Sequence, residues 1–545
     1  LTRVDDITVA PGQSVTFFLS VGVGRSAEAA RSSAQTLLSV AGNGQTGAYA
    51  EALKAQQQAR FHSGSAALDR LMTQSLVNVP NVEGRRIGVG TRHALPGHIS
   101  SLYDPTRDAM MAVGWAAPRP NFAAAQLNAW FQTKNNADEI SGVPLRNPRA
   151  APPTNLFALW ELYERTHNRA LLKRYYPFAR RRYLELLTAG RVKEDTWSFA
   201  WPPGVQDAIF IPGSTPPISP QTVKPNAVPV RNEKKFEKEI EKESTPIPYM
   251  APDYAAYVIR AARIMQAIAA ANDVPAEETR QYAIDAYKTA QSLNATLWND
   301  VRKMYVPAPL PGTAALDGRE GRSDTLAGLL PLIAGADMQT AEQRAAMLQT
   351  LTDPETFWSP GGLRSVSKAS PLYWGANGAN GATRFGLNWL FWKALLDGGE
   401  TDMARKLASN LLQAYEKAQT TGGQCPEWLD GDTGAGGGTG DFAGDASALL
   451  PMWAAYHQPG TATGGWNVNL LDNSYDRGRD TLHLVMKRLQ PSGKVSLVCA
   501  LGRPNGKYLA TGAISAPLTA DADGVLTLTL PPDNTTLVLD IAPAN

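Results

Sequence analysis

Three stretches of this 545-residue chain bring carboxylates and aromatics together among loop-forming residues. CPEWLDGDTG at 425–434 leads into GAGGGTGDF and places Glu427 beside Trp428. Glycine loses too much backbone entropy to hold a helix or strand there, and Asp-Gly pairs favour turns, so the stretch reads as a loop. No cation stands within three residues of Glu427; a glutamate that only solubilises a surface belongs on a helix face with a partner four residues on. DTWSFAWPPGVQDAIFIPG carries Trp197, Trp201 and Asp207. Asp207 stands in the apolar run VQDAIF, where burial disfavours the charged carboxylate and raises its pKa, as a general acid needs. SSLYDPTRDAMM carries Tyr103, Asp104, Arg107 and Asp108 ahead of a helix start, two carboxylates and a guanidinium suited to clamping sugar hydroxyls. A glutamate base and an aspartic acid on separate loops are what glycoside hydrolysis requires. Each residue also has a structural reading: Asp104 or Asp108 as a helix cap, Asp207 in an Asx-turn or ion pair, Glu427 as a solvated loop residue. Spacing alone does not choose between them.

Other chemistries find less support. The six histidines form no HExxH cluster, and no GxSxG or Walker loop is present, so metalloprotease, α/β-hydrolase and NTPase readings lack their motifs. The VGVG stretch near the N-terminus has no βαβ unit behind it. Asp430 and Asp432 ahead of the glycines hint at calcium, but the further ligands and terminal Glu of an EF-hand loop are missing. Lys+Arg 52 against Asp+Glu 50 leaves a formal charge of +2 with no dominant basic block, which argues against a nucleic-acid partner and for a neutral one. Thirteen Trp and seventeen Tyr in a chain only 19% charged supply rings that pack cores and stack on sugar faces. Cys425 and Cys499 are the only cysteines, too few for a disulfide framework or a cysteine metal site. No apolar run approaches a membrane span. The opening LTRVDDITVAPGQSV is neither a signal peptide nor a Met start, so the chain reads as processed or truncated, with a periplasmic or secreted location left open.

The elements that must carry these loops are helical. Between residues 65 and 459 the apolar spacing and caps predict about twelve helices joined by alternating short and long loops. Paired helices in that number predict a mainly α fold, an (α/α)6 toroid; an α-solenoid is the alternative, but no fixed-period repeat supports it. Residues 1–24 read as a hairpin at the end of an N-terminal β-domain, 25–64 as linker helices, and 460–545 as a small C-terminal β-domain. The Lys/Glu-rich run at 231–244, inside a proline-rich interruption, reads as an exposed flap.

EWLDGDTGAGGGTGDFAGDASALL resembles the Glu-Tyr-x-Asn/Asp-Pro-x-Thr-Gly and Phe-Ser-Trp-Ser-Ala-Ala segments of glycoside hydrolase family 63 and its inverting relatives, the trehalases and mannosylglycerate hydrolases. PPTNLFALWELYERTHNRALLKRYYPFARRRYLELL, WSPGGLRSVSKASPLYW and NWLFWKALL are similar to other segments of that family, and the resemblance covers about residues 65–457. It implies that Glu427 is the catalytic base. The family acid follows as Gly-x-Asp, whereas this chain reads Gly204-Val205-Gln206-Asp207. Strict alignment puts Gln206, which cannot donate a proton as an acid, at that position; a one-residue shift puts Asp207 there, and the shift is taken. Tyr373-Trp374-Gly375 replaces the family's Trp-Arg-Gly.

The resemblance implies an inverting exo-glycosidase on α-glucosidic or related α-linked oligosaccharides, with no cofactor. Asp207 would protonate the glycosidic oxygen while Glu427 activates water from the opposite face, across roughly 6.5–9.5 Å. Trp201, Trp374 and Trp428 would wall the pocket; Tyr103, Asp104, Arg107, Asp108, Gln206 and Arg384 would hold hydroxyls. A carbohydrate-binding protein that has lost its acid is the alternative, with Gln206 in its favour, and a phosphorylase or lyase has no motif here.

Overall fold

The computed structural model describes residues 152–201 and 249–544, apart from 194–195, 311–323, 372, 376–380, 423–425, 439–442, 490–493 and 533–534. It also describes residues 64–71 and scattered positions within 28–32, 86–92 and 110–127. Two compact units are distinguished, Leu1–Arg60 and Phe61–Asn545. Of the first, only Glu28, Arg31 and Ser32 are described, in helical backbone. The expected hairpin at 1–24, most of the linker at 25–64 and the flap at 231–244 lie outside the described residues.

The second unit is mainly helical, and its helices alternate in burial. Helix α1 (Thr154–Thr166) is buried from Thr154 through Glu164, whereas α2 (Arg169–Ala189) buries only a stripe that includes Leu172, Tyr175, Ala179, Tyr183 and Leu186. The next pair repeats this, with α3 (Pro252–Ala271) buried along most of its length and α4 (Ala276–Leu297) along the stripe Tyr282, Ala286, Ala290, Leu293 and Leu297. Spacing of three to four residues gives one apolar face, and a helix apolar all round must be enclosed. Helix α5 (Ala341–Thr352) starts with a capping box of Thr340 and Gln343. Helix α6 (Phe385–Asp397) is buried at every position and packs against α7 (Thr401–Gly422), and the short α8 (Leu449–His457) is also buried.

One expected helix is absent. SDTLAGLLPLIA forms 3-10 turns at Leu326–Gly328 and Leu330–Ala334 instead. Pro331 denies an α-helix its hydrogen bond, and Gly335, at φ +115, ends the run. Gly328 passes so close to the Tyr305 carbonyl that a Cβ there would lie 2.5 Å from it.

Ahead of α8, β1 (Trp428–Leu429) pairs with β2 (Gly436–Gly437), and after α8 the chain forms two antiparallel sheets. β3 (Ala462–Gly464), β6 (Val495–Ala500) and β9 (Val525–Leu530) make one, in the order β3-β6-β9. The other runs β4-β5-β10-β7-β8, from β4 (Val468–Asp476), β5 (Thr481–Arg488), β10 (Thr536–Pro543), β7 (Lys507–Gly512) and β8 (Ala516–Thr519). Leu470, Leu484, Met486, Leu497, Leu528 and Leu539 belong to one buried core of these strands. β6 is buried at all six positions because it also packs against α6 and α8, as expected of a strand covered on both faces. Cys499 is a buried free thiol in this strand, pushed up to about 12 by burial.

The strands grip the buried helices through polar contacts. Trp466, in the turn between β3 and β4, meets Phe157 of α1 and Trp389 of α6, each at 5.8 Å between ring centroids. The Arg260 guanidinium of α3 lies 4.7 Å from the same ring. Lys393 pairs with Glu161 at 2.7 Å and donates to the Gly464 carbonyl, and Arg260 pairs with Asp397 at 2.8 Å. Phe157 and Glu161 of α1 thus match Trp389 and Lys393 of α6, four residues on in each, so these helices run parallel. Phe157 also meets Tyr257, near the start of α3. The first turns of α1, α3 and α6 therefore face the same end.

Glu164 accepts from the Leu470 N–H in this contact, and its carboxyl is raised to about 8 by burial, opposed by Lys393 and reinforced by Glu161. The ordinary value is 4.5, so the folded state binds the extra proton between the two values and loses stability as pH rises through that window. Thermal unfolding from about pH 5 to about pH 8 is expected to show a falling Tm, and Glu164→Gln to reduce that fall by roughly 2–5 °C. An unchanged slope in the variant would show that Glu164 does not hold this proton.

Candidate active site

The stretch around Glu427 is more ordered than its glycines suggest. Trp428–Leu429 forms β-strand with Gly436–Gly437, pairing Leu429 with Gly436 and Trp428 with Gly437. Asp430 builds the turn: its Oδ1 accepts from the N–H groups of Asp432 (2.9 Å) and Thr433 (2.7 Å) and from the Thr433 hydroxyl (2.9 Å). Burial opposes the charge on Asp430, yet these donors hold its carboxyl below the ordinary range. Asp430 is thus a turn builder, the structural alternative to calcium. On the far side Leu429 exchanges two backbone hydrogen bonds with Thr383, at 2.8 and 3.0 Å, two residues before α6 begins. The Glu427 N–H donates to the Gly437 carbonyl at 3.0 Å. Glu427 is thereby fixed to the N-terminal end of α6.

Gly438 lets Glu427 sit where it does. Its φ is +83, and a Cβ there would lie 2.5 Å from the Glu427 Cβ, 2.5 Å from the Trp428 ring and 2.8 Å from Glu427 Oε2. Both conditions require glycine.

A buried arginine ties the neighbouring loops to this hairpin. Arg364 donates through Nε to the Gly431 carbonyl (3.0 Å) and through Nη1 to those of Trp358 (2.6 Å) and Pro354 (2.9 Å). The Tyr373 hydroxyl accepts from Arg364 Nε at 3.2 Å and donates to Asp432 at 2.8 Å. Burial, with Asp432 beside it, pushes that hydroxyl up to about 12. The Gly431 N–H donates to the Gly375 carbonyl, which docks the Tyr373-Trp374-Gly375 loop against the hairpin. Trp374 is 43% exposed, Trp428 is half-buried, and Arg384 is the residue at the start of α6. Of the expected site residues, the structure thus gathers Glu427, Trp428, Trp374 and Arg384 around one helix end.

Trp201 is placed differently. It is 3% exposed, its Nε1–H donates to both Asp253 oxygens at 3.0 Å, and its ring meets Tyr254 at 4.9 Å. Asp253, in the first turn of α3, was not singled out from the sequence, where an Asp after Pro at a helix start reads only as a favourable charge. Burial raises its carboxyl to about 7 against hydrogen bonds from Trp201 and the Tyr254 N–H. Tyr103, Asp104, Arg107, Asp108, Gln206 and Asp207 lie outside the described residues. Met110, which follows the first of these groups, accepts from the Ser447 hydroxyl at 2.9 Å, while Asp445 accepts from the Gly386 N–H of α6 at 3.1 Å. No group of three or more His, Cys, Asp or Glu side chains able to hold a metal occurs among the described residues, and none of the described helices is long and apolar enough to cross a membrane.

The family model for the mannosylglycerate hydrolase MGH1-like glycoside hydrolase domain matches residues 107–443. This chain belongs to that family. Its glycoside hydrolase domain thus spans α1 to α7, the Arg364 cluster and the Glu427 hairpin. Among solved structures, an uncharacterized conserved protein from Thermus thermophilus is similar at 19% identity and TM-score 0.52, covering 70% of this chain and 99% of its own. The family 63 mannosylglycerate hydrolase from the same organism, in complex with Tris, is similar at 18% identity and TM-score 0.52, covering 70% and 100%. Its complex with glucose gives 17% identity and TM-score 0.50, covering 70% and 99%. These likenesses are of fold, of the (α/α)6 glycosidase type. Direct comparison with curated proteins finds no match.

Gly438→Ala tests the packing behind Glu427. The left-handed backbone costs about 1–2 kcal/mol for alanine, and displacing a reacting group by about 1 Å costs up to about 10²-fold in rate. Sugar release by this glycosidase is expected to fall at least about tenfold, with circular dichroism unchanged; full activity would mean that the Glu427 position is not critical.

Proposed function

We propose that the protein is an inverting, exo-acting glycoside hydrolase of α-glucosidic or related α-linked oligosaccharides, with residues 65–459 as an (α/α)6 catalytic toroid. The observation that carries this reading is the anchoring of Glu427 to the N-terminal end of α6, at the end shared by the first turns of α1 and α3. Glu427 acts as general base on a water molecule. Asp207 acts as general acid on the glycosidic oxygen, with Gln206 beside it in sequence as a hydroxyl-binding group. Inversion requires water to attack the anomeric carbon opposite the departing oxygen, which an acid–base pair with carboxyls roughly 6.5–9.5 Å apart would permit. Trp374 and Trp428 offer ring faces to the sugar, Arg384 and the Tyr103–Asp108 segment its hydroxyl ligands. The glucose complex of the Thermus thermophilus relative supports a neutral sugar as ligand.

The test is sugar release from a panel of α-glucosides and α-mannosides by the wild type, Asp207→Asn and Glu427→Gln. Positioned proton transfer is typically worth about 10²–10⁴, so each variant is expected to lose at least about a hundredfold in kcat. A wild type that binds these sugars and cleaves none would make the protein a carbohydrate-binding relative, with Gln206 at the position of the missing acid.

A further inference from the structure

The first turn of α1 holds polar groups without hydrogen-bond partners among the described residues. Thr154 and Asn155 are 2% and 1% exposed. Thr154 Oγ1, Asn155 Oδ1 and Asn155 Nδ2 are buried, and none has a hydrogen-bond partner among the described residues. Pro153 precedes them without a capping side chain, and no acidic residue stands in the turn. Three other helix starts are served by side chains, with Asn168 accepting from the Leu171 N–H at the start of α2, Thr340 capping α5 and Asp445 accepting from the Gly386 N–H in α6, whereas α3, α4 and α8 have no capping side chain but also no unpaired polar pair like Thr154 and Asn155. Leaving a buried amide unpaired lowers stability, so a folded protein that keeps one holds a group for which water or a ligand is the remaining partner.

The donor and acceptor inventory narrows the ligand. The Asn155 amide offers an acceptor and two donors, and the Thr154 hydroxyl can do either. A carboxylate or phosphate only accepts and would leave Asn155 Oδ1 unpaired; an ammonium only donates and would leave Nδ2 unpaired. Two adjacent hydroxyls satisfy both amide atoms, one donating to Oδ1 and the other accepting from Nδ2. Phe157, two residues beyond Asn155, meets Trp466 opposite Trp389, so this turn lies at the end to which Glu427 is anchored.

We infer that Asn155, assisted by Thr154, binds a pair of adjacent ring hydroxyls of the sugar and so contributes to its selection. This rests on the glycosidase reading for the presence of a sugar, and Asn155 acts in binding, taking no part in proton transfer.

Asn155→Leu keeps the size and removes the polar atoms; Thr154→Val does the same for the hydroxyl. Binding of D-glucose and D-mannose is measured by calorimetry, thermal unfolding alongside it, and KM and kcat on the best substrate of the panel. Asn155→Leu is expected to unfold at the wild-type temperature or above, because an unpaired buried amide is gone, and to bind the preferred sugar at least about tenfold more weakly. Its KM is expected to rise more than its kcat falls. Thr154→Val carries the same comparison if Asn155→Leu does not fold. Variant affinity within about twofold of wild type, or a wild type that binds neither sugar, overturns the inference. Failure of the catalytic reading shows separately, as a wild type that binds sugar without cleaving it.

Discussion

Trp466 presents its indole from the turn between β3 and β4 to three buried helices at once, ringed by Phe157, Trp389, the Arg260 guanidinium and the Lys393 ammonium. Buried charges are costly unless paired, and here each cation has its carboxylate, Lys393 with Glu161 and Arg260 with Asp397. An ion pair tolerates little axial sliding, because a shift of one helical turn would separate both charges. The ring and its ion pairs therefore fix the level of α1 and α6 against each other and tie α3 to them. Through Trp466 the strands of residues 462–543 thus help set the plane in which α1, α3 and α6 begin.

That plane gives the Glu427 hairpin a rigid base. Thr383 carries the ladder from α6 to Leu429, and Arg364 donates to carbonyls of two segments, Pro354 and Trp358 in one and Gly431, in the hairpin turn, in the other. A reacting carboxylate is useful only if its surroundings are less mobile than the tolerance of the chemistry. Glycine at 438 allows the side chain to lie against backbone that a Cβ would occupy. A glycine-rich sequence therefore builds an ordered element, because its turn is closed by Asp430 and its edge by Thr383.

The helical layout was legible because burial follows periodicity: FGLNWLFWKALLD is apolar all round and proves fully buried, and RALLKRYYPFARRRYLELL has one apolar stripe and proves half-exposed. The strands of VSLVCALGRP and GVLTLTLPPDNTTLVLDIAP were legible for the same reason. SDTLAGLLPLIA misled because its apolar residues outweighed Gly328 and Pro331, which the packing of Tyr305 exploits. CPEWLDGDTG misled in the opposite direction, since its strand pairs with glycines of the run that follows and is bridged on the other side to Thr383, more than forty residues earlier. Arg364, Asp253 and Asn155 carry no local signal at all. Their roles arise from burial and from partners, present or absent, that only the folded chain defines.

The central claim is that Glu427 activates water against the sugar face opposite the departing oxygen. The measurement that tests it most directly is proton NMR of the first sugar released from an α-linked substrate, recorded before the anomers equilibrate. The account predicts that the β-anomer appears first and the α-anomer grows in later by mutarotation. First appearance of the α-anomer would mean retention, a nucleophilic carboxylate in place of a base, and would contradict it.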